Sequence, residues 1–468
     1  MPADLANQRV VVMGLGRFGG GIGVARWLCR QGAKVVVTDL APPEDLQESL
    51  KALDGLDLTL RLGEHDDADL DGCDLLVVSP AVNKRTSSFF KAAVARNIAW
   101  SSEMTLFLER CPAVVVGVTG SAGKSTTVAM IETILNVARG VSGWRHGRVW
   151  LGGNIGKSLL EDLPAMEPQD IVVLELSSFQ LEDAAPLRWS PRVALVTNFR
   201  ENHLDRHGTL AEYAEAKGSI YRYQARHHWL AMPWASGVER LPTGWEDKPR
   251  LYRFGVEVET GRARLRCRNG TDYAPETLEI PLKVPGLHNI ENAAGALAVA
   301  RMLGVADAVA LPALASFGGL PHRLEFVRAC RGVRFYNDSK ATSPDATITS
   351  LQAFDNPIVV LLGGSDKGGS FDALGESVAT RVKVAVCMGE TRERIVQAIR
   401  RAGGGRAGPR IETADRFDQA VALARAAATD GDVVLLSPAC ASFDWFVNYE
   451  QRGEAFKKLV SAWNGGRS

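Results

Sequence analysis

The chain has 468 residues, enough for two to four domains with substantial apolar cores. Its 46% apolar and 23% charged residues make it a globular sequence, and 54 Lys plus Arg against 54 Asp plus Glu exclude the basic excess of a nucleic-acid binder. Seven scattered cysteines, odd in number and with no C-x-x-C pair, exclude a disulfide framework or a zinc site and suit reduced thiols.

In chain order, a strand over Arg9 to Met13 runs into Gly14-Leu15-Gly16-Arg17-Phe18-Gly19, a helix to about Arg30, and a strand Lys34 to Thr38 ending at Asp39. This is G-x-G-x-x-G with an acid twenty positions after the last glycine, the dinucleotide pattern, and alone it points to an NAD-dependent dehydrogenase. Strands at Leu75 to Val78 and near Ile98 complete a first α/β domain, residues 1–110.

The chain restarts at Ala113 with Val114-Val115-Val116-Gly117-Val118-Thr119-Gly120-Ser121-Ala122-Gly123-Lys124-Ser125-Thr126-Thr127, followed by a helical pattern to Ala138. An apolar strand, a glycine-spaced turn and a helix start form a phosphate cradle: backbone N–H groups and the helix N-terminus favour anionic oxygens. Lys124 is placed to reach outer phosphates, and Ser125 or Thr126 to meet magnesium. Val118 stands where the common pattern has its first glycine, leaving the shorter Thr-Gly-x-x-Gly-Lys-Ser. ATP binding is expected, a non-catalytic nucleotide switch being the alternative.

Apolar runs Ile171 to Glu175 and Val193 to Thr197 read as buried parallel strands. Glu175 ends the first, where a magnesium ligand belongs, and His203 and Asp205 follow the second on the same rim. Residues 229–285, with several Trp, Pro and Arg, give no clear period. A helix follows Gly286 to Leu303 and sets Asn289 and Asn292 three apart on one face, as ligand contacts or caps. Glycines and a proline at 318–321 make a hinge, so a central domain covers 111–319 and a third covers 320–468. Third-domain strands are expected at Val333 to Tyr336, Pro357 to Leu362, Val382 to Met388 and Asp432 to Leu436. Polar turns follow the first, second and fourth: Asn337 to Thr342, Gly363 to Gly368, and Ser437 to Asp444. Cys440 lies in the last with no His downstream, so it reads as a turn residue rather than a nucleophile. The expected fold is α/β in three domains: Rossmann-like, a P-loop ATPase-like parallel sheet, and a second Rossmann-like domain.

Together, Val118 to Thr126, Gly152-Gly153-Asn154-Ile155-Gly156, Glu175 to Glu182, His203-Leu204-Asp205, His288 to Asn292, Pro321-His322-Arg323 and Asn337 to Thr342 resemble the Mur ligase family, colinearly over nearly the whole chain. These are ATP-dependent amide-bond ligases of the peptidoglycan stem peptide. Glu175 to Glu182, Asn337 to Thr342 and Leu436 to Ser442 further resemble the member that adds D-glutamate to UDP-N-acetylmuramoyl-L-alanine. The same ligation with L-glutamate or another amino acid is the alternative.

The resemblance implies that Gly14, Gly16, Gly19 and Asp39 serve the UDP end of the precursor, and Asn154, Ser177 and Gln180 its muramoyl-alanine arm. It places ATP on Gly120, Gly123, Lys124, Ser125, Thr126, Asn289, Asn292, Arg323 and Asp338. It places magnesium at two sites on Ser125, Glu175, His203 and an N-carboxylated Lys217, which the residues alone give as a surface helix charge. Lys340, Thr342, Lys367, Ser442 and Phe443 correspond to the glutamate pocket. Lys124, His203, Lys217 and Arg323 become the catalytic set, with closure of the third domain excluding water. Ala122 replaces an Asn common in the family loop, and Arg200 and Asn202 flank His203 where acids often stand. Met1 to Leu5 lacks a signal-peptide layout and no apolar run reaches membrane-spanning length, so a cytoplasmic monomer acting on small molecules, with neither membrane nor nucleic acid, is expected.

Overall fold

The computed structural model describes residues 4–16, 20–268, 275–366, 368–403 and 408–463. Gly19 and Lys367, and the side chain of Asp205, lie outside the described residues.

The chain forms three sheets. The first holds β1 (Arg9–Met13), β2 (Lys34–Asp39), β3 (Leu58–Leu62), β4 (Leu75–Val78) and β5 (Ala99–Ser101), all parallel, in the order β3-β2-β1-β4-β5. The valine run of β1 is buried on both faces, as a central parallel strand requires.

The second sheet takes β6 (Val114–Thr119), β7 (Val149–Gly153), β8 (Ile171–Glu175), β9 (Val193–Val196), β10 (Trp229–Pro233), β11 (Arg250–Glu257), β12 (Arg262–Arg268) and β13 (Glu276–Leu278). Their order is β13-β12-β11-β10-β9-β6-β8-β7, parallel except at β11–β12–β13. The segment without a clear period thus supplies four strands. On β12 a period of two is present, Ala263 and Leu265 buried and Arg262 and Arg264 exposed, but the arginines mask it in a hydrophobicity reading.

The third sheet holds β14 (Glu325–Cys330), β15 (Val333–Asn337), β16 (Ile358–Gly363), β17 (Val382–Met388), β18 (Arg410–Ala414) and β19 (Val433–Leu436), ordered β14-β15-β19-β16-β17-β18. Only β14 is antiparallel to its neighbour.

Two compact units result: residues 1–280 with 291–313, and residues 281–290 with 314–468. In the first, one apolar core runs from Val10 and Trp27 through Val172 and Leu174 to Leu230, so the first two sheets share an interior. Lys84 pairs with the buried Asp183, and Arg206 donates to the carbonyls of Pro80, Ala81 and Val82, fastening the loop after β4 to the second sheet. In the second unit, separate apolar clusters cover the two faces of the third sheet. No helix among the described residues is long and apolar enough to cross a membrane.

Candidate functional site

The phosphate-loop residues lie between β6 and the helix Lys124–Ala138. Gly120 (φ 149°) and Gly123 (φ 82°) hold conformations that side-chain-bearing residues rarely adopt. A Cβ on Gly120 would lie 1.9 Å from Thr197 Oγ1, and one on Gly123 2.4 Å from Asn292 Oδ1, so alanine at either position would force those side chains to move. The loop is tied to the chain after β9: Ala122 N–H donates to Asn198 Oδ1 (2.9 Å), and Asn198 Nδ2 and Thr197 Oγ1 both donate to Ala122 O (3.0 and 2.6 Å). Asn292, expected at ATP, thus abuts the phosphate loop. Ser125 is half-buried and Thr126 buried in the first turn of the helix.

Lys124 Nζ donates to Gly120 O at 2.9 Å. Lys217 Nζ donates to the same carbonyl at 2.9 Å and to Thr119 Oγ1 at 3.4 Å. Lys217 belongs to the helix Leu210–Arg222, whose start is fixed by a capping box between Thr209 and Glu212. It is only 2% exposed. Burial, then the Lys124 cation, holds its amine well below the ordinary lysine range, with Glu175 pulling the other way. Glu175, at the end of β8, is equally buried; Oε1 accepts from Asn154 Nδ2 at 3.0 Å. Its Oε2 is buried with no hydrogen-bond partner among the described residues. A buried carboxylate oxygen left unpaired is costly unless something binds it, so this oxygen fits a hard cation such as magnesium. Among the described residues no three His, Cys, Asp or Glu side chains cluster as a metal-binding group.

Tyr213, one turn before Lys217, carries a role that the sequence reading did not give it. Its ring lies 4.8 Å from Lys217 Nζ, and its hydroxyl is 3.0 Å from Ser121 Oγ in the phosphate loop. The ring also meets those of His203 (6.3 Å) and His207 (5.2 Å). The i, i+4 spacing to Lys217 was the available signal. His203 is exposed, has a left-handed backbone (φ 55°) and sits edge-on to Phe179 at 5.4 Å. His207 is buried: it stacks on Phe179 at 4.9 Å and places Nε2 2.9 Å from Ser178 Oγ.

Several residues expected at the precursor already have structural partners. Ser177 and Gln180 form the capping box of the helix Ser178–Ala184, with Gln180 Oε1 accepting from Ser177 N–H (3.0 Å). Asp39 Oδ2 accepts from Leu15 and Gly16 N–H (2.8 and 3.0 Å), so this acid shapes the turn that holds Gly14 and Gly16.

In the second unit, Arg323 follows Pro321-His322 and its buried Nε has no partner among the described residues. Asp338, after β15, is buried: Ser350 and Ser437 hydroxyls donate to Oδ2 (2.6 and 2.7 Å) and Leu324 N–H to Oδ1 (3.2 Å). Burial raises its pKa to about 6 despite those bonds and Arg323. Asn289 Nδ2 donates to Pro285 O at 2.6 Å, a cap-like contact. Lys340 Nζ stands 5.6 Å from the Tyr449 ring centre, and Thr342 N–H donates to Lys340 O at 2.9 Å. Ser442 is buried, whereas its neighbour Phe443 is 71% exposed. Cys440 is buried with its thiol 3.2 Å from Thr391 Oγ1, and burial pushes that thiol up, in keeping with a turn residue.

Three domain families match the sequence: the Mur ligase MurD-like N-terminal domain over residues 8–100, the Mur ligase middle domain over 118–300, and the Mur ligase glutamate ligase domain over 322–440. The UDP-N-acetylmuramoylalanine–D-glutamate ligase of Symbiobacterium thermophilum is 40% identical over 97% of this chain and 98% of its own length. That of Roseiflexus sp. is 39% identical over 98% and 99%. Among solved structures, the UDP-N-acetylmuramate-alanine ligase of Thermotoga maritima is similar in fold, with TM-score 0.58 and 19% identity over 97% of this chain and 100% of that one. A MurF ligase of the same organism, in complex with ADP, has TM-score 0.54 and 19% identity over 98% and 99%.

Proposed function

The chain belongs to the Mur ligase family, and from that premise we propose that it is an ATP-dependent ligase joining D-glutamate to UDP-N-acetylmuramoyl-L-alanine. The observation that carries the chemistry is the cluster of half-buried Lys124 with buried Lys217 and Glu175 around the phosphate loop. The amino acid follows from the named relatives, which match from end to end. No observation favours L-glutamate or a dehydrogenase.

In this reading residues 1–110 hold the uridine diphosphate, residues 111–319 hold ATP, and residues 320–468 hold the glutamate. The terminal carboxylate of the alanine arm attacks the γ-phosphorus of ATP, forming an acyl phosphate and releasing ADP. Lys124 offsets negative charge as the phosphoryl group moves. The glutamate amine then attacks the acyl carbon, and the tetrahedral species collapses with loss of phosphate. Arg323 meets the γ-phosphate, Asn289 and Asn292 the nucleoside, and Lys340, Thr342, Lys367, Ser442 and Phe443 the amino acid. Asp338, buried against two serines, acts on the ribose at most through the loop that it anchors.

Lys217 serves as a carbamate. Its depressed basicity favours the neutral amine, which can add carbon dioxide with loss of a proton and so become an anion. Ser125, Glu175, His203 and that carbamate would hold two magnesium ions, which supply charge neutralisation at the triphosphate. The protein works as a cytoplasmic monomer.

The test is phosphate release from ATP and magnesium with UDP-N-acetylmuramoyl-L-alanine, comparing D-glutamate, L-glutamate and no amino acid. Release that depends on D-glutamate is expected. Dependence on L-glutamate keeps the mechanism but overturns the substrate, and release without any amino acid overturns the ligation.

A further inference from the structure

The helix Tyr449–Ser461 starts at Asn448, whose side chain accepts from Gln451 N–H, and its first turn directs Arg452 inward. Arg452 is 1% exposed. Buried guanidinium groups normally face a carboxylate. Arg452 makes no ion pair among the described residues, and its hydrogen bonds go to neutral oxygens. Nε donates to Ser339 Oγ (2.9 Å), Nη2 to Ser339 O (2.9 Å) and Cys440 O (3.1 Å), and Nη1 to Ala441 O (3.0 Å).

Those oxygens belong to two turns. Ser339 lies after β15, next to Lys340; Cys440 and Ala441 lie after β19, next to Ser442. The sheet order β15-β19-β16 makes these turns neighbours at one carboxyl edge, where α/β sheets bind ligands. The turn after β16 joins them: Ser365 N–H donates to Ala441 O (3.0 Å), and Asp444 N–H donates to Ser365 Oγ (2.9 Å). A Cβ on Gly364 would lie 3.1 Å from Arg452 Nη1 and 2.1 Å from Ala441 O, so that turn packs directly on the guanidinium. Burial lowers the Arg452 pKa to about 10, with the nearby Asp444 carboxylate and then Cys440 pulling the other way, which leaves it a cation at neutral pH.

We infer that Arg452 is the positioning and charge-selecting residue of the amino-acid pocket: it locks the turns that carry Lys340 and Ser442 in register, and its buried charge favours a substrate with a second carboxylate. The inference rests on the glutamate-ligase reading above. Buried beneath the turns, Arg452 is a positioning residue rather than a catalytic one. It acts through the turns, and through a field that the interior screens less than water does.

The experiment measures phosphate release by full-length protein with D-glutamate or its neutral isostere D-glutamine, for wild type, Arg452→Gln and Arg452→Lys, beside thermal melts. Arg452→Gln should raise KM for D-glutamate by about tenfold or more, leave KM for ATP within about twofold, and lower the preference for D-glutamate over D-glutamine by about tenfold. Arg452→Lys, which keeps the charge but not the fork of bonds, should raise KM for both amino acids and retain the preference. If Arg452→Gln does not fold, Arg452→Lys decides alone: KM for the amino acids must rise while KM for ATP does not. An unchanged preference in a folded Arg452→Gln, or kcat and both KM values worsening together, overturns the inference. Wild-type protein that ignores D-glutamate overturns the ligase reading, and this inference with it.

Discussion

Replacing Asp338 by Asn tests whether the buried carboxyl group after β15 is held against its own ionisation. Burial is the largest influence on it and raises the pKa from 3.8 to about 6; the Ser350 and Ser437 hydroxyls and Arg323 act in the opposite direction. The unfolded chain therefore ionises this group first. Its contribution to stability is intact below the unfolded value and is lost as pH rises through the folded one. A gap of about two units corresponds to about 3 kcal/mol, of which about 1 kcal/mol is lost by pH 4.5 and nearly all by pH 7.5. Asn does not titrate, so Asp338→Asn should gain about 2 kcal/mol on wild type between those two pH values, whatever constant amount the changed hydrogen bonding removes. In a unit of this size that is a relative shift in Tm of roughly 4–8 °C. Calorimetric melts of both full-length proteins at the two pH values read it directly. A Tm difference that does not change with pH would show that Asp338 is ionised in the folded protein and would refute the argument.

Four further outcomes follow from the first unit. Lys124→Ala should cut phosphate release by about a hundredfold or more while UDP-precursor binding, read by calorimetry, stays within about twofold; joint loss of both would undo the separation of the two nucleotide sites. Lys217 should make activity depend on dissolved carbon dioxide, so degassed, bicarbonate-free enzyme should recover on adding bicarbonate, and Lys217→Ala should be slow by about a hundredfold and insensitive to it. Glu175→Gln, which changes the charge around the unpaired Oε2, should raise the magnesium concentration for half-maximal rate by about tenfold, and an unchanged magnesium titration would remove Glu175 from the metal. Gly120→Ala meets Thr197 Oγ1 at 1.9 Å and a φ of 149°, so a loss of about 1–3 kcal/mol in stability is expected by denaturant titration, together with weakened ATP binding.

The three-sheet plan was legible because the central strands β1, β8, β16 and β19 are unbroken apolar runs, the form that burial on both faces imposes. The strands from β10 to β13 were not, because arginine on one face of β12 hides a sound alternation and β10 carries Trp and Pro. The phosphate loop was legible as glycine spacing, since the backbone at Gly120 and Gly123 is one that side-chain-bearing residues rarely adopt. Ser177-x-x-Gln180 carries a second signal that the sequence reading did not use: these residue types at this spacing make a capping box, and the structure shows that box formed. Arg452 gave no signal because an arginine in an amphipathic helix is ordinarily a solvent-facing charge, and only the fold brings it to Ser339, 113 positions away.

Lys217 is the sharpest case, because the geometry supplies the argument that the sequence lacks. Lys124 and Lys217 both address Gly120 O at 2.9 Å. Two ammonium ions on one carbonyl repel strongly where water is scarce, so the less solvated of the two yields its proton. Lys124 is half-buried at a helix start, while Lys217 is almost wholly buried behind it. Lys217 is therefore the weaker base of the two, and the burial that would count against a lysine as a metal ligand favours it as the nucleophilic amine of the pair. The proposed carbamate then resolves two difficulties together. It sets an anion beside the Lys124 cation, and it adds a second anionic oxygen donor near Glu175, whose Oε2 alone is too little to hold a divalent ion. Tyr213 closes the arrangement: its ring borders Lys217 and its hydroxyl reaches Ser121, so the helix Leu210–Arg222 that presents the lysine is registered against the phosphate loop.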